Sequence, residues 1–276
     1  MKVIKKSGDV VEYDRRKLRN SLLRSGVPEN DLERIFKTVE VYLYDGIQTK
    51  QIHKFVKRLL KKVPGPHAAR YNLRSALEQL GPAGFFFERF VALVFEAEGY
   101  QTKTNLYLKG KCVSHEIDIV IRKADRLTMA ECKFHAQSGT KSDVKVPMYI
   151  LSRFNDVKDN AFEVFSGLEN ISACKIVTNN RFTTDAEAFA RCSGLELLSW
   201  DYPLNDSLKT KIDNMQLYPV TCLMTLSAIE KEKLLVQGII LALQLVGAPD
   251  SLVQIGISEG RRKRIVNEAA GLCNYF

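Results

Sequence analysis

The chain has 276 residues, 45% of them hydrophobic, enough to bury a sizeable core and more than one domain requires. Its net charge of +9 is uneven: residues 1–75 hold 18 Lys and Arg against 8 Asp and Glu, which leaves the remainder at −1. The most apolar run, residues 234–248, carries two Gln and falls short of the ~20 residues of a membrane span, so it predicts a buried helix of a soluble domain.

A basic first quarter points to a phosphate-bearing partner, nucleotide or nucleic acid, with a solvated basic surface as the alternative. The six cysteines, Cys112, Cys132, Cys174, Cys192, Cys222 and Cys273, form no CxxC pair. The opening MKVIKKSGDV lacks the apolar centre of a signal peptide, so a reducing, cytoplasmic setting with no membrane partner is expected.

In chain order, KVIKK and VVEY flank SGD and predict a β-hairpin. Asp14 is placed to cap a helix, RRKLRNSLLRSG, that ends at Gly26. A second helix is expected over residues 29–46. Thr49 is the expected cap of a third, in which Ile52, Phe55, Val56, Leu59 and Leu60 make one apolar stripe. A fourth follows PGP over residues 67–80, completing a unit of residues 1–80.

Gly81-Pro82 breaks that run. The helix FFFERFVALVFEAEGY then leads into strand-like segments at 100–108, 115–122 and 127–135, a helix within 146–167, a strand at 173–178, a helix at 185–192 and a strand at 195–200. A hairpin followed by βαβ alternation predicts a mixed α/β sheet with helices packed on it. DYPLND marks the expected end of this domain, residues 81–203, and residues 204–276 read as mostly helical.

HEIDIVIRKADRLTMAECKFHA, residues 115–136, puts Asp118, Glu131 and Lys133 inside apolar, strand-like runs. With Ala124 and Asp125 as a two-residue loop, Asp118 faces Glu131 across the strands, Cβ atoms ~5 Å apart, and Lys133 projects from the same face. Ile117, Ile119 and Ile121 then share the other face with Ala130, Cys132 and Phe134. Opposed carboxylates without a cation repel, and one is pushed toward protonation. A divalent metal removes the conflict: Mg²⁺ (or Mn²⁺) takes carboxylate oxygens, keeps waters and binds beside phosphates. A lysine alongside steadies an attacking water or charge building on a phosphoryl group. Glu88 shares a helical stripe with Val91, Ala92 and Phe95, which aims it at the sheet. The alternative is a strand face of exposed salt bridges. Cys112-x-x-His115 and Cys132-x-x-His135 have zinc-ligand composition, but residues three apart on a strand point to opposite faces, which favours small core cysteines.

On these residues the segment resembles the restriction-endonuclease-like PD-(D/E)XK superfamily, particularly its Mrr-like branch, over about residues 83–201. The resemblance implies metal-binding acids at Asp118 and Glu131, the catalytic lysine at Lys133 and a further catalytic acid at Glu88. Ile117-Asp118 stands where the motif name has Pro-Asp. Gln137 lies where some members carry another polar site residue.

VIKKSG, YDRRKL and AARYNLR resemble pieces of an ATP-cone, a nucleotide-binding regulatory domain. The resemblance implies ATP or dATP as ligand, phosphate contacts from Lys5, Lys6 and Lys17, Val3 and Ile4 near the base, and oligomer state as the output. The usual Lys-Arg-Asp-Gly of the first strand is here Lys5-Lys6-Ser7-Gly8. No G-x₄-GK[ST] loop occurs, so binding without hydrolysis is expected. LVQIGISEGRRKRIVNEA is similar to one helix-hairpin-helix, with Ser258 replacing its second Gly. Residues 261–264 then either hold DNA phosphate, blind to sequence, or lie in solvent.

The expected class is α/β (α+β overall): a small N-terminal ATP-cone of β-hairpin plus helices, a restriction-endonuclease-like mixed sheet flanked by helices, and a helical C-terminal region. The expected activity is a nucleotide-regulated, Mg-dependent DNA endonuclease that hydrolyses phosphodiester bonds as a homo-oligomer. The alternatives are a catalytically inactive nucleotide-sensing DNA-binding regulator and a junction- or RNA-directed nuclease of the same fold.

Overall fold

In the N-terminal part, β1 (Lys2–Ile4) pairs antiparallel with β2 (Val10–Glu12) and parallel with β3 (Ile47–Gln48). The computed structural model describes residues 1–5, 7–81, 84–137 and 139–274. Asp14 accepts the Arg16 N–H at the start of α1 (Arg15–Arg24), as expected, and α2 spans Glu29–Tyr42. The cap of α3 (Thr49–Leu60) is not Thr49 but Gln48, which exchanges side-chain and backbone hydrogen bonds with Gln51. Its Ile52, Val56 and Leu60 are buried in one cluster with Val3, Leu22, Phe36 and Ile47. The expected fourth helix is split into α4 (His67–Tyr71) and α5 (Leu73–Leu77); between them Asn72 closes the turn on the Ala68 and Ala69 carbonyls, and its side chain accepts from Lys57.

Residues 78–217 form one unit around a mixed sheet. Helix α6 (Phe85–Ala97) precedes β4 (Gln101–Lys109), β5 (Ser114–Lys123) and β6 (Arg126–Lys133), which pair antiparallel in sequence. After β7 (Lys141–Ser142) come α7 (Lys145–Val157), β8 (Ala161–Phe162) and β9 (Glu169–Thr178); β9 runs parallel to β6. Then β10 (Arg181–Phe182) pairs with β7, and α8 (Thr184–Cys192) returns the chain to β11 (Glu196–Leu198), parallel to β9. The order β11-β9-β6-β5-β4 makes β6, with its charged end, a central strand. Ile150 and Val157 of α7 and Ala186 and Ala190 of α8 pack with Val120, Met129, Cys174 and Ile176 on one face. Helix α9 (Leu208–Met215) belongs to this unit.

Residues 218–276 cluster with 1–77 in the other compact unit. Thr221 Oγ1 donates to the Ala76 carbonyl (2.8 Å), and Met224 lies against the cone's core. Arg70 of α4 donates to the Leu272 carbonyl (3.2 Å) and to Asn274 Oδ1 (2.6 Å). The apolar run at 234–248 is not one helix. Helix α10 (Ala228–Val236) ends at Gly238 (φ 82°), the Gln244 side chain accepts the N–H groups of Ile240 and Leu241, and helix resumes only at α11 (Gln244–Gly247). Short α12 (Ser251–Gln254) leads to α13 (Glu259–Leu272). Among the described residues no helix is long and apolar enough to cross a membrane.

Candidate active site

The β5–β6 hairpin turns at Ala124-Asp125 with Lys123 opposite Arg126 and Ile119 opposite Ala130, the register that the sequence pattern predicts. Ala124 takes φ 50°, as a tight two-residue hairpin loop demands. The ladder stops there. Where Asp118 and Glu131 would pair next, Asp118 Oδ2 instead accepts the Cys132 N–H at 2.7 Å. On the other side, Asn105 and Asp118 drop out between the Thr104–Ile119 and Leu106–Ile117 pairs, and Asn105 has φ 55°. Ile117 also joins the buried cluster of Val120, three residues on. The strict alternation expected of Ile117, Ile119 and Ile121 therefore breaks at Asp118, because the irregular backbone there re-aims the strand, as bulges do.

Glu131 is buried, 3% exposed, and its Oε1 receives Lys133 Nζ at 3.0 Å and Arg153 Nη1 at 2.5 Å. Its Oε2 is buried with no hydrogen-bond partner among the described residues. Burial, and next the Glu131 charge, push the Asp118 carboxyl up to about 6 against the opposing bond from Cys132. Glu88 in the first turn of α6 is pushed up to about 7, by burial first and then by Asp118, Glu131 and Glu116. The structure thus brings Asp118, Glu131, Lys133 and Glu88 into one electrostatic neighbourhood, with an orphaned carboxylate oxygen inside it. A buried, unpaired carboxylate oxygen beside like charges suits a divalent cation. Among the described residues no group of three or more His, Cys, Asp or Glu is arranged to hold a metal. A cation held here would lean on one or two carboxylates and on water, which is the habit of Mg²⁺.

Arg153 escaped the sequence reading. The available signal was its place on the buried stripe of α7, three residues after Ile150 and four before Val157, where a cation needs a partner. Asp156, on the same helix, accepts the N–H groups of Cys112 (2.8 Å) and Val113 (3.2 Å) and pairs with His115 Nε2 at 2.7 Å. The His115 bond holds the Asp156 carboxyl well below the usual range.

The two C-x₂-H pairs do not converge. His115 is committed to Asp156 and Cys112 is exposed, whereas Cys132 is buried and His135 Nε2 meets Ser142 Oγ at 3.0 Å. Burial raises the Cys132 thiol and lowers the His135 imidazole. A second unread feature is the VTNN run ending β9. Thr178 Oγ1 donates to the Lys133 carbonyl (2.7 Å), Asn179 bonds both the N–H and the carbonyl of His135 (2.8 Å each), and Asn180 Nδ2 donates to the Gln137 carbonyl (3.1 Å). These side chains continue the β6–β9 pairing past Lys133 and fix the exit of the charged strand.

In the N-terminal unit, Lys5 is exposed at the hairpin, where its N–H reaches the Asp9 carbonyl, and Lys17 is exposed in the first turn of α1. Ile4 is half-buried, but Val3 is 3% exposed and packs in the core, which leaves its side chain no free face for a base. Lys6 lies outside the described residues. Arg261 is spoken for as well: it bonds Glu230 at 2.6 and 3.0 Å and the Thr225 carbonyl, and Lys263 pairs with Glu259.

With this geometry, a restriction-endonuclease family model, Mrr catalytic, matches residues 82–202, and an ATP-cone model matches residues 1–75. An uncharacterized protein of Archaeoglobus fulgidus is 32% identical over 183 residues, 65% of this chain and 97% of that protein. The chain belongs to one family with that protein, and it carries an ATP-cone and an Mrr-like restriction-endonuclease domain. A further model, AF1548-like C-terminal, matches residues 218–273 of the chain. The crystal structure titled as the protein of unknown function AF1548 superposes with a TM-score of 0.58 at 29% identity, over 69% of this chain and 98% of that one. The hairpin bearing Asp118, Glu131 and Lys133 lies within the residues matched to the Mrr catalytic model.

Proposed function

We propose that the protein is a nucleotide-regulated, Mg²⁺-dependent DNA endonuclease, with Asp118 and Glu131 as metal ligands, Lys133 as catalytic lysine and Glu88 as an assisting acid. The observation that carries this reading is Oε2 of Glu131, buried without a hydrogen-bond partner among the described residues, beside the Asp118 and Glu88 carboxyls that burial first, and then neighbouring carboxylate charge, push toward protonation. When bound, a divalent cation supplies neutralisation of phosphoryl charge and lowers the pKa of water. Asp118 is fixed by the Cys132 N–H and Glu131 by Arg153, so both present oxygens that need no reorientation. Lys133, 31% exposed, reaches the site mouth, where its ammonium steadies an attacking water or the phosphoryl oxygens as the P–O bond breaks. Lys5, Lys6 and Lys17 supply phosphate contacts to ATP or dATP, with Ile4 beside the base, and nucleotide binding shifts a homo-oligomer equilibrium.

Cleavage of supercoiled, linear and branched DNA by wild type, Asp118→Ala and Lys133→Ala, with and without Mg²⁺ and with and without ATP or dATP, tests this. Each substitution is expected to lower the rate by at least ~10³-fold while DNA binding persists. Cleavage at wild-type rate in both variants, or cleavage in EDTA, would reject the assignment.

A further inference from the structure

We propose that Arg153 is the permanent counter-ion of Glu131, the positioning residue that frees Lys133 to leave that carboxylate for the reacting phosphate. The proposal deepens, and rests on, the nuclease reading above. Two cations share Glu131 Oε1, Arg153 at 2.5 Å and Lys133 at 3.0 Å, but they are held differently. The Arg153 side chain is 11% exposed. Its Nη1 takes Glu131 on β6, its Nη2 donates to the Glu116 carbonyl on β5, and its guanidinium lies 5.7 Å from the Tyr149 ring centroid. It therefore spans the two strands just past the point where their ladder ends, from a helix that Asp156 anchors independently to the β4–β5 turn.

Guanidinium is planar, always charged and suited to fixed pairs, whereas an ammonium on four methylenes is a mobile point charge. Lys133 is also the more exposed of the two. Stripping a buried carboxylate of its only cation is strongly unfavourable. Without Arg153, Glu131 would hold Lys133 where it now rests, 3.0 Å away, and the reacting centre would lack its ammonium. With Arg153 in place, Lys133 can depart while Glu131 stays paired and keeps its Oε2 turned inward.

The test uses the full chain as wild type, Arg153→Met and Arg153→Lys. It measures kcat and KM for DNA cleavage in Mg²⁺, Mn²⁺ binding without DNA by electron paramagnetic resonance, and Tm. Arg153→Met is expected to lower kcat by roughly 30-fold or more, with KM and Mn²⁺ affinity within about threefold of wild type, and Arg153→Lys is expected to lie between the two. An unchanged kcat in Arg153→Met overturns the proposal. So does a kcat loss that tracks lost Mn²⁺ binding and a collapsed Tm, the mark of a purely structural role, or an Arg153→Lys no better than Arg153→Met. Failure of the nuclease reading looks different: the wild type itself then binds no Mn²⁺, and Asp118→Ala cleaves as the wild type does.

Discussion

Asp118 and Glu88 are carboxyls displaced upward, and the sign of that displacement governs how the protein responds to pH. Their folded values of about 6 and about 7 lie above the ordinary carboxylate range near ~4, so between those values the folded state binds more protons than the unfolded one. Stability from this source is fully present below about pH 4 and is lost as pH rises through 6 and 7. In EDTA, Tm should therefore fall from pH 5 to pH 8. Mg²⁺ should restore it more at pH 8 than at pH 5, and Asp118→Asn should flatten both responses. A metal-free Tm that rises over this window would contradict the account. At this scale a two-residue loop and a period of two put Asp118, Glu131 and Lys133 in one neighbourhood, but do not reveal the irregular backbone at Asp118 that replaces the expected Asp118–Glu131 pair with a bond from the Cys132 N–H. The sequence was silent on Arg153, whose role depends on how α7 lies across the sheet.

At the level of elements, the irregular backbone at Asn105 and Asp118 opens the hairpin, while α7 is tied down at two points, Arg153 and Asp156. The second tie depends on Gly110. A Cβ there would sit 2.1 Å from Asp156 Oδ2 and 2.7 Å from the Val113 carbonyl. Gly110→Ala should displace Asp156 from the Cys112 and Val113 amides and from His115, lowering Tm by roughly 5 °C and reducing cleavage through a misplaced Arg153. Unchanged Tm by calorimetry would show that α7 does not rely on this knot. Helix and strand positions were largely legible from periodicity and caps: Asp14 does cap α1, and the β5–β6 register is the expected one. The 234–248 run misled because burial and helix share an apolar signature, and Gly238 decided between them. The split at Asn72 and the one-residue shift from Thr49 to Gln48 depend on side-chain hydrogen bonds that no periodicity encodes.

Across the whole molecule, an ATP-cone matches the first 75 residues and a restriction-endonuclease model the centre, so an ATP-cone and a restriction-endonuclease-like domain share one chain. Composition recorded the first of these as a +10 imbalance confined to residues 1–75. Residues 218–276 cluster with the first 77 through contacts between positions far apart in sequence, Arg70 with Leu272 and Thr221 with Ala76, which composition does not encode. The nuclease we propose requires the carboxylates of one opened hairpin to share a cation. Calorimetric titration of the DNA-free protein with Mn²⁺ at pH 8 addresses this requirement most directly, comparing wild type with Glu131→Gln. Saturable binding that Glu131→Gln weakens at least ~10-fold is the predicted result. Equal binding by both proteins would contradict it.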